Sequence, residues 1–268
     1  MNSYFIGFGP SKIHYMRFGT GERLVFCFHG YGELASSFAV FEPYLGNEFT
    51  LIAIEAPFHG KTDWQGELLL KPSDLITVMK EIAGDNHQAW ILFGYSMGGR
   101  MAMKIMELIP EQIEQLILVA PDGLHKNKWQ WFTSNTYLGN QLFKYTMKNP
   151  SWILGSLKVT EQLNLMNKSI QKFIHYYLDD AQQRAELYKI WTTNRKFRPH
   201  LGRLKKLIAK HQVRMVLIFG KHDRIILTKR GTRFSQNLEH LITVKEIEAG
   251  HQLLQEKYAK TIAAFFVG

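Results

Sequence analysis

A serine flanked by glycines is the first feature of this 268-residue sequence that could do chemistry. Ser96 lies within GYSMG at 94–98, between the apolar run AWILF at 89–93 and a helix-like pattern. The spacing Gly-x-Ser-x-Gly between a strand and a helix is typical of a sharp turn that strains the backbone and exposes the serine hydroxyl. The helix N-terminus also favours negative charge beside the serine. The pattern predicts that Ser96 is a nucleophile, and the alternative is a glycine-rich turn with a passive serine.

Alternating strand-like and helix-like patterns along most of the chain would position this turn. Strands are predicted at 3–8, 12–18, 23–28, 49–54, 89–93, 113–119, 213–219 and 241–247, and helices at 38–45, 72–83, 97–109, 228–236 and 253–266. Buried strands that alternate with helices imply an α/β fold, a mainly parallel eight-stranded sheet with helices on both faces. The tight link at Gly9 and Pro10 predicts an antiparallel start. Ser73 is the expected cap of the second helix.

Residues 122–210 interrupt this alternation. They lack strand-like runs and contain helical patches, among them 141–148 and 169–191, so we expect a helical insertion. The chain has a net charge of +10 at pH 7, and this segment holds 16 basic and 5 acidic residues while the remainder is close to neutral. Such asymmetry suggests that the segment has a role of its own.

In its order of elements and its motifs, the chain resembles the α/β-hydrolase family over essentially its whole length. The features that carry the resemblance are the antiparallel start, the His29-Gly30 loop after the third strand, the serine turn after the fifth and the insertion after the sixth. The resemblance implies an acid after the seventh strand, where Asp223 stands, and a histidine after the eighth, where His251 stands. Some relatives of this fold place the acid after the sixth strand, which makes Asp122 the alternative.

The resemblance also implies a role for each of these side chains. A serine hydroxyl is a poor nucleophile until a base takes its proton, and an imidazole can accept and return that proton near neutral pH. His251 would therefore serve Ser96, and the carboxylate of Asp223 would orient the imidazole and stabilise its charged form. The backbone N–H groups of Met97 and Tyr31 would form the oxyanion hole.

One motif departs from the family pattern. After the fourth strand the family often has Asp-x-Pro-Gly-x-Gly-x-Ser, whereas this chain has EAPFHGKT at 55–62, in which Glu55 and Phe58 differ. The fold assignment survives this difference, but the subfamily is left open. His29 and His59 lie in loops at the same edge of the predicted sheet, and we expect His29 to orient the oxyanion loop.

The resemblance further implies that the insertion is a cap over the serine. We expect a helical cap at 122–210 on a core formed by 1–121 and 211–268, with the cap shaping substrate choice. Aromatic residues such as Trp129 and Trp131 are expected inside the cap, some of them facing the substrate, because an aromatic surface suits an acyl chain or a ring. The excess positive charge either steers anionic substrates or belongs to a solvated outer face.

Together these features predict a carboxylesterase-like or lipase-like hydrolase that cleaves an ester or thioester of a small or medium acyl substrate. Tyr95 and Arg100 support an alternative, because they are similar to residues of the menaquinone-pathway synthase of this fold, a lyase that eliminates pyruvate from an anionic substrate. Both residues would then contact substrate, whereas in a purely structural role Arg100 would pair with Glu67 or another acid. A non-catalytic member of the fold is the remaining alternative.

Composition argues against several other classes of protein. The single cysteine, Cys27, rules out a disulfide scaffold, and no apolar run approaches the about 18 residues of a membrane span. No zinc-binding or nucleic-acid-binding signature is present. We therefore expect a small-molecule substrate, one that could be anionic, with no metal, no other cofactor, no nucleic acid and no stable membrane insertion. No secretory signal is recognisable, so a cytoplasmic location is expected.

Overall fold

The computed structural model describes residues 2–86, 88–125, 127–155 and 178–266. The chain divides into two compact units. The first unit comprises Met1–Gly66, Lys71–His125 and Phe197–Gly268, and the second comprises Glu67–Leu70 and Lys126–Lys196.

An eight-stranded sheet forms the inner layer of the first unit. The strands are β1 (Asn2–Phe8), β2 (Ser11–Phe18), β3 (Arg23–Phe28), β4 (Phe49–Ile54), β5 (Trp90–Tyr95), β6 (Ile113–Val119), β7 (Arg214–Gly220) and β8 (Ile242–Ile247). Their order across the sheet is β1-β2-β4-β3-β5-β6-β7-β8. β2 pairs antiparallel with β1 and β4, and the other neighbouring strands are parallel. The expected α/β class, the eight-stranded sheet and its antiparallel start are confirmed.

The sequence of each strand reflects its place in the sheet. β5 and β6 are buried along almost their whole length, as expected of central strands that are covered on both faces. The edge strand β1 is largely exposed, and the other edge strand, β8, contains both apolar and polar residues. Phe93 of β5 packs against Phe38, Phe41 and Phe266, with ring centroids 5.0 to 5.2 Å away. This aromatic cluster anchors the C-terminal segment to the middle of the sheet.

Helices cover both faces of this sheet. The described α-helices are α1 (Glu42–Leu45), α2 (Pro72–Ala83), α3 (Met97–Leu108), α4 (Lys128–Asn135), α5 (Tyr137–Lys148), α6 (Ala181–Thr193), α7 (Leu201–His211), α8 (Thr228–Ser235) and α9 (Glu256–Ala263). Within the first unit, α3 packs with α2 and α7, whereas α9 packs with α1 and the 3-10 helix Ala35–Phe41. In the part of the chain that is described, no helix is long and apolar enough to cross a membrane.

The second unit is built from α4, α5 and α6, with α5 packing against the other two helices. Phe143 of α5 lies 5.5 Å from the ring of Tyr188 and 5.6 Å from that of Trp191. Trp129 and Trp131 are 58% and 46% exposed, so these two residues lie outside the interior in which they were expected. The buried face of α4 consists instead of the small residues Thr133 and Ser134.

The boundaries of the second unit differ from the expected 122–210. α7 belongs with the core because it packs against α3 and buries Leu204 and Ile208. The N–H of His200, which precedes α7, donates to the carboxylate of Glu107 in α3 at 3.1 Å. Residues 197–211 are therefore part of the first unit.

The helix expected at 169–191 also differs from the structure where it is described. α6 begins at Ala181 because the side chain of Asp180 accepts a hydrogen bond from the N–H of Gln183 at 2.8 Å, which caps the helix. Residues 169–177 lie outside the described residues. The helix predicted at 141–148 is present as the C-terminal part of α5.

Candidate active site

Ser96 stands in the turn that joins β5 to α3, and its backbone is strained. Its φ of 48° and ψ of −113° lie in a region that residues with a Cβ disfavour. The N–H of Ser96 donates to the carbonyl of Val119 at 3.0 Å, and its own carbonyl accepts from the N–H of Asp122 at 2.8 Å. β6 and the loop that follows it therefore hold the turn in this conformation.

Two glycines allow the close packing that this turn requires. A Cβ added at Gly98 would lie 1.9 Å from the carbonyl oxygen of Phe28, at the end of the neighbouring strand β3. A Cβ added at Gly94 would lie 2.7 Å from the carbonyl oxygen of Gly98. Both contacts are with backbone atoms, which cannot rotate away, so the Gly-x-Ser-x-Gly pattern follows from the geometry of the turn.

Ser96, His251 and Asp223, which are far apart in sequence, form one chain of hydrogen-bonding contacts. Ser96 Oγ lies 3.2 Å from His251 Nε2, and His251 Nδ1 lies 2.7 Å from Asp223 Oδ2. Because an ionised carboxylate can only accept, Nδ1 carries the proton and donates it. Nε2 then presents its lone pair to the serine hydroxyl, which is the arrangement that a general base requires.

The surroundings of Asp223 favour its ionised form. Its side chain is fully buried, and Oδ1 accepts from the N–H groups of Ile225 at 2.7 Å and Ile226 at 3.0 Å. Burial alone would raise the pKa of Asp223, but the hydrogen bond and the charge of His251, together with these two N–H groups, outweigh burial and lower it below the usual value. The carboxylate can therefore orient the imidazole throughout the neutral range.

Tyr95 supports His251 from the end of β5. Its hydroxyl donates to the backbone carbonyl of His251 at 3.0 Å, and the two rings lie 5.6 Å apart. The Tyr95 side chain is buried. Tyr95 was expected to contact substrate, and its bond to His251 was not expected, because no local pattern links two residues that are 156 positions apart.

Asp122 and Arg100 form a separate ion pair. Arg100 Nη1 lies 3.2 Å from Asp122 Oδ2, and Arg100 is only 7% exposed. Asp122, the alternative acid, therefore contacts an arginine, and the carboxylate at His251 is that of Asp223. This pairing fits the structural role expected of Arg100, in which it pairs with Glu67 or another acid.

The loops expected to supply the oxyanion donors both adjoin Ser96. Met97 is the first residue of α3, where N–H groups have no carbonyl partner four residues earlier and where the helix dipole is positive. Gly30 lies against the turn, since a Cβ added there would be 3.3 Å from Cβ of Ser96. Tyr31 is the next residue along the chain, and its role as an oxyanion donor stays a prediction.

Two histidines connect the loop at 29–32 to the loop at 56–59. His29 Nε2 accepts from the N–H of Ala56 at 3.0 Å, so its Nδ1 carries the proton and donates to the carbonyl of Gly30 at 2.7 Å. Burial, and then the neighbouring His59, lower the pKa of His29 to about 3. His59 in turn accepts from the N–H of Gly32 at 3.4 Å. The neutral His29 therefore holds the loop at 29–32 against the loop at 56–59 by hydrogen bonds.

Known proteins match both the sequence and the structure. Residues 20–258 match the family model described as serine aminopeptidase, S33. An uncharacterized hydrolase of Bacillus subtilis (strain 168), YugF, is 23% identical over 249 residues, which cover 91% of this chain and 88% of that protein. A pimeloyl-[acyl-carrier protein] methyl ester esterase of Sodalis glossinidius is 28% identical over 102 residues, 38% of each chain.

Solved structures share the whole fold at lower sequence identity. The thioesterase domain from the curacin biosynthetic pathway superimposes with a TM-score of 0.64 at 17% identity, covering 100% of this chain and 99% of the domain. A thermophilic esterase from Thermogutta terrifontis gives a TM-score of 0.67 at 15% identity, covering 99% and 97%. Because the family match spans most of the sequence and the solved structures share the fold, the chain belongs to the S33 serine aminopeptidase-like family of α/β-hydrolases.

Proposed function

We propose that this α/β-hydrolase cleaves carboxylic esters or thioesters of small or medium acyl groups through an acyl-enzyme on Ser96. The observation that carries the proposal is the continuous path from the Ser96 hydroxyl through His251 to the buried Asp223. This path gives a serine a base at hydrogen-bonding distance and gives that base a carboxylate to stabilise its charge.

Acylation begins with a proton transfer. His251 Nε2 takes the hydroxyl proton as Ser96 Oγ attacks the acyl carbon, and the carbonyl oxygen becomes an oxyanion. The N–H groups of Met97 and Tyr31 donate to that oxyanion, and the N-terminus of α3 adds a favourable dipole. The tetrahedral intermediate collapses when His251 returns the proton to the departing alcohol or thiol.

Deacylation repeats these steps with water as the nucleophile. His251 removes a proton from water, which attacks the acyl carbon, and then returns the proton to Ser96 Oγ as the acid leaves. Asp223 stays ionised throughout, because its two backbone donors and the imidazole favour the charged form. No step needs a group from outside the chain other than substrate and water.

The names of the relatives support an acyl substrate. One is an esterase that acts on a pimeloyl-[acyl-carrier protein] methyl ester, and one structural neighbour is a thioesterase domain. An acyl-serine can be formed from either an oxygen or a sulfur ester, so the chemistry of the site fits both. The pyruvate-eliminating alternative has less support, since Arg100 is paired with Asp122 and Tyr95 donates to His251.

Labelling and turnover of one pair of variants test this proposal. Ser96→Ala should lose labelling by a fluorophosphonate probe at position 96 and should lower kcat on p-nitrophenyl butyrate by about 10⁵-fold or more. Ser73→Ala, at an exposed serine on α2 whose hydroxyl contacts Asp74, is the matched control and should keep full activity. Turnover that survives Ser96→Ala would overturn the proposal. Acyl thioesters and an aminoacyl anilide, assayed beside the ester, would show which bond is cleaved fastest.

A further inference from the structure

A second serine, Ser3, is hydrogen-bonded to a histidine that is in turn hydrogen-bonded to a carboxylate, as Ser96 is. Ser3 Oγ lies 2.7 Å from His14 Nε2, and His14 Nδ1 lies 2.8 Å from Glu55 Oε2. His14 and Glu55 are 2% and 3% exposed, whereas Ser3 is exposed on β1. β1 is at the edge of the sheet, and β2, β4 and β3 separate it from β5, which leads to Ser96.

The hydrogen bonds around Glu55 fix the direction of the proton along this path. Glu55 Oε2 also accepts from the N–H of Lys61 at 2.6 Å, and Oε1 accepts from the N–H of Ala35 at 3.3 Å. A carboxylate that accepts on both oxygens takes the Nδ1–H of His14 as well. His14 Nε2 is then an acceptor, so the hydroxyl of Ser3 is the donor. The imidazole of His14 is therefore positioned to act as a base for the exposed Ser3.

The backbone around His14 keeps the imidazole in this position. The N–H of His14 donates to Thr62 Oγ1 at 3.0 Å, and Thr62 Oγ1 donates to the carbonyl of Glu55 at 2.9 Å. The N–H of Glu55 donates to the carbonyl of His14 at 3.0 Å. A side chain fixed in this way loses little freedom when it takes a proton from Ser3.

The surface beside Ser3 can receive an aromatic or acyl group. Phe5 lies two residues further along β1, on the same face as Ser3, and it pairs directly with His14 in the sheet register. Its ring centroid is 5.1 Å from that of His14, and Phe5 is 55% exposed. Alternate N–H groups of an edge strand point away from its partner, so the backbone of β1 also offers donors to an oxyanion.

We propose that Ser3 is a second activated serine, which reacts with acyl donors that have a good leaving group, such as aryl esters. Ser3 Oγ forms a bond to the acyl carbon as His14 Nε2 takes the hydroxyl proton. The bond between the acyl carbon and the aryl oxygen breaks, and His14 gives the proton to the departing aryloxide. The products are an ester of Ser3 and a phenol, and the reaction does not involve Ser96.

Acetylation of the intact chain carrying Ser96→Ala tests this proposal. The protein is treated with p-nitrophenyl acetate, and the acetyl ester at each serine is followed by peptide mass spectrometry, with release by hydroxylamine separating esters from acetylated amines. Ser73 is the internal control because it is exposed and its hydroxyl contacts a carboxylate, that of Asp74, at 3.2 Å. Ser3 should be acetylated about 10²-fold faster than Ser73, which is the contribution expected of a positioned base.

A second variant separates base catalysis from simple exposure. His14→Gln in the same background should lower the acetylation rate of Ser3 to that of Ser73, with folding checked by circular dichroism. Equal rates at Ser3 and Ser73 in the Ser96→Ala protein would overturn the proposal, and so would a Ser3 rate that His14→Gln leaves unchanged. If His14→Gln does not fold, the comparison of Ser3 with Ser73 decides alone. Because Ser96 is absent throughout, failure here leaves the proposed esterase activity untouched.

Discussion

At the scale of single residues, the site combines a strained backbone at Ser96 with histidines whose hydrogen-bond partners fix which ring nitrogen carries the proton. Ser96 is held in a conformation that costs a residue with a Cβ about 1–3 kcal/mol, and backbone hydrogen bonds to Val119 and Asp122 maintain it. His251 and His29 show how partners decide the role of a histidine. His251 faces a carboxylate and a hydroxyl, whereas His29 is buried between a backbone donor and a backbone acceptor. The first can act as a base and the second can only hold a loop.

Substitution of the two candidate acids should separate their roles. Asp223→Asn should lower kcat by about 10⁴-fold, because the amide cannot fix the reactive tautomer of His251 or stabilise its positive charge. Asp122→Asn should leave kcat within a few fold, since Asp122 contacts Arg100 and not His251. Steady-state kinetics on p-nitrophenyl butyrate would measure both effects. A larger loss for Asp122→Asn than for Asp223→Asn would contradict the assignment.

His29 should make the protein less stable in mild acid. Its pKa is about 3 in the folded protein and about 6.5 when unfolded, so below pH 6.5 the unfolded state binds a proton that the folded state does not. Between pH 6 and pH 4 this difference should lower the free energy of unfolding by about 1.4 kcal/mol per pH unit. Urea unfolding of the wild type and of His29→Gln would measure the slope.

The His29→Gln variant serves as the comparison because a glutamine side chain does not titrate. The pH slope of His29→Gln should be shallower by about one proton between pH 6 and pH 4. Equal slopes in the two proteins would mean that His29 becomes protonated in the folded state. Asp223 affects stability in a lower pH range than His29. Its pKa is depressed in the folded protein, so its stabilising contribution disappears only as the pH drops through that depressed value.

At the scale of the elements, the close contact between β3 and α3 constrains the geometry of the site. α3 passes so near the end of β3 that the carbonyl of Phe28 occupies the space of a side chain at position 98. The loop after β3 carries His29 and Gly30, and α3 begins at Met97. The separation of these two elements therefore sets the distance between the two expected oxyanion donors.

An alanine in α3 should damage both stability and turnover. Gly98→Ala would place its Cβ 1.9 Å from a backbone oxygen, so α3 must move away from β3. We expect a loss of about 3 kcal/mol in the free energy of unfolding and a lower kcat. Gly7→Ala is the matched control, because a Cβ at Gly7 meets no atom within 4 Å. A stability for Gly98→Ala equal to that of Gly7→Ala would contradict this account.

Most strands could be predicted from the sequence, and the resemblance to a known family implied the contacts among Ser96, His251 and Asp223. Other contacts between distant segments could not be predicted. The strand patterns work because β3 to β7 are short apolar runs bounded by turn residues. Ser73 was expected to cap α2, but Pro72 is the first residue of this helix, so Lys71 occupies the cap position. The bond from Tyr95 to His251 and the packing of α7 on α3 depend on the folded chain, which carries no local signature.

For the whole molecule, the net charge of +10 creates a field that favours anions. The charge is concentrated between residues 122 and 210, which include most of the second unit and α7. Exposed charges act at a distance in dilute salt, and ions screen them over about 10 Å at 0.1 M. The charge should therefore affect encounter with substrate more than it affects the chemical step.

Salt should distinguish charged from neutral substrates. For a p-nitrophenyl ester that carries a free carboxylate, kcat/KM should fall about threefold or more between low salt and 0.5 M, because screening removes the attraction. The uncharged butyrate ester, measured in parallel, controls for effects of salt on the protein itself. The same salt dependence for both esters would mean that the basic residues form only a solvated face.

The hydrogen-bonded path from Ser96 through His251 to Asp223 lies within the first unit, and the second unit consists of two segments of the sequence. Its main segment is Lys126–Lys196, and Glu67–Leu70 joins it through the bond from the N–H of Leu70 to the carbonyl of Thr193. Any exchange of the second unit would therefore have to replace both pieces together. Such an exchange would leave Ser96, Asp223 and His251 unaltered.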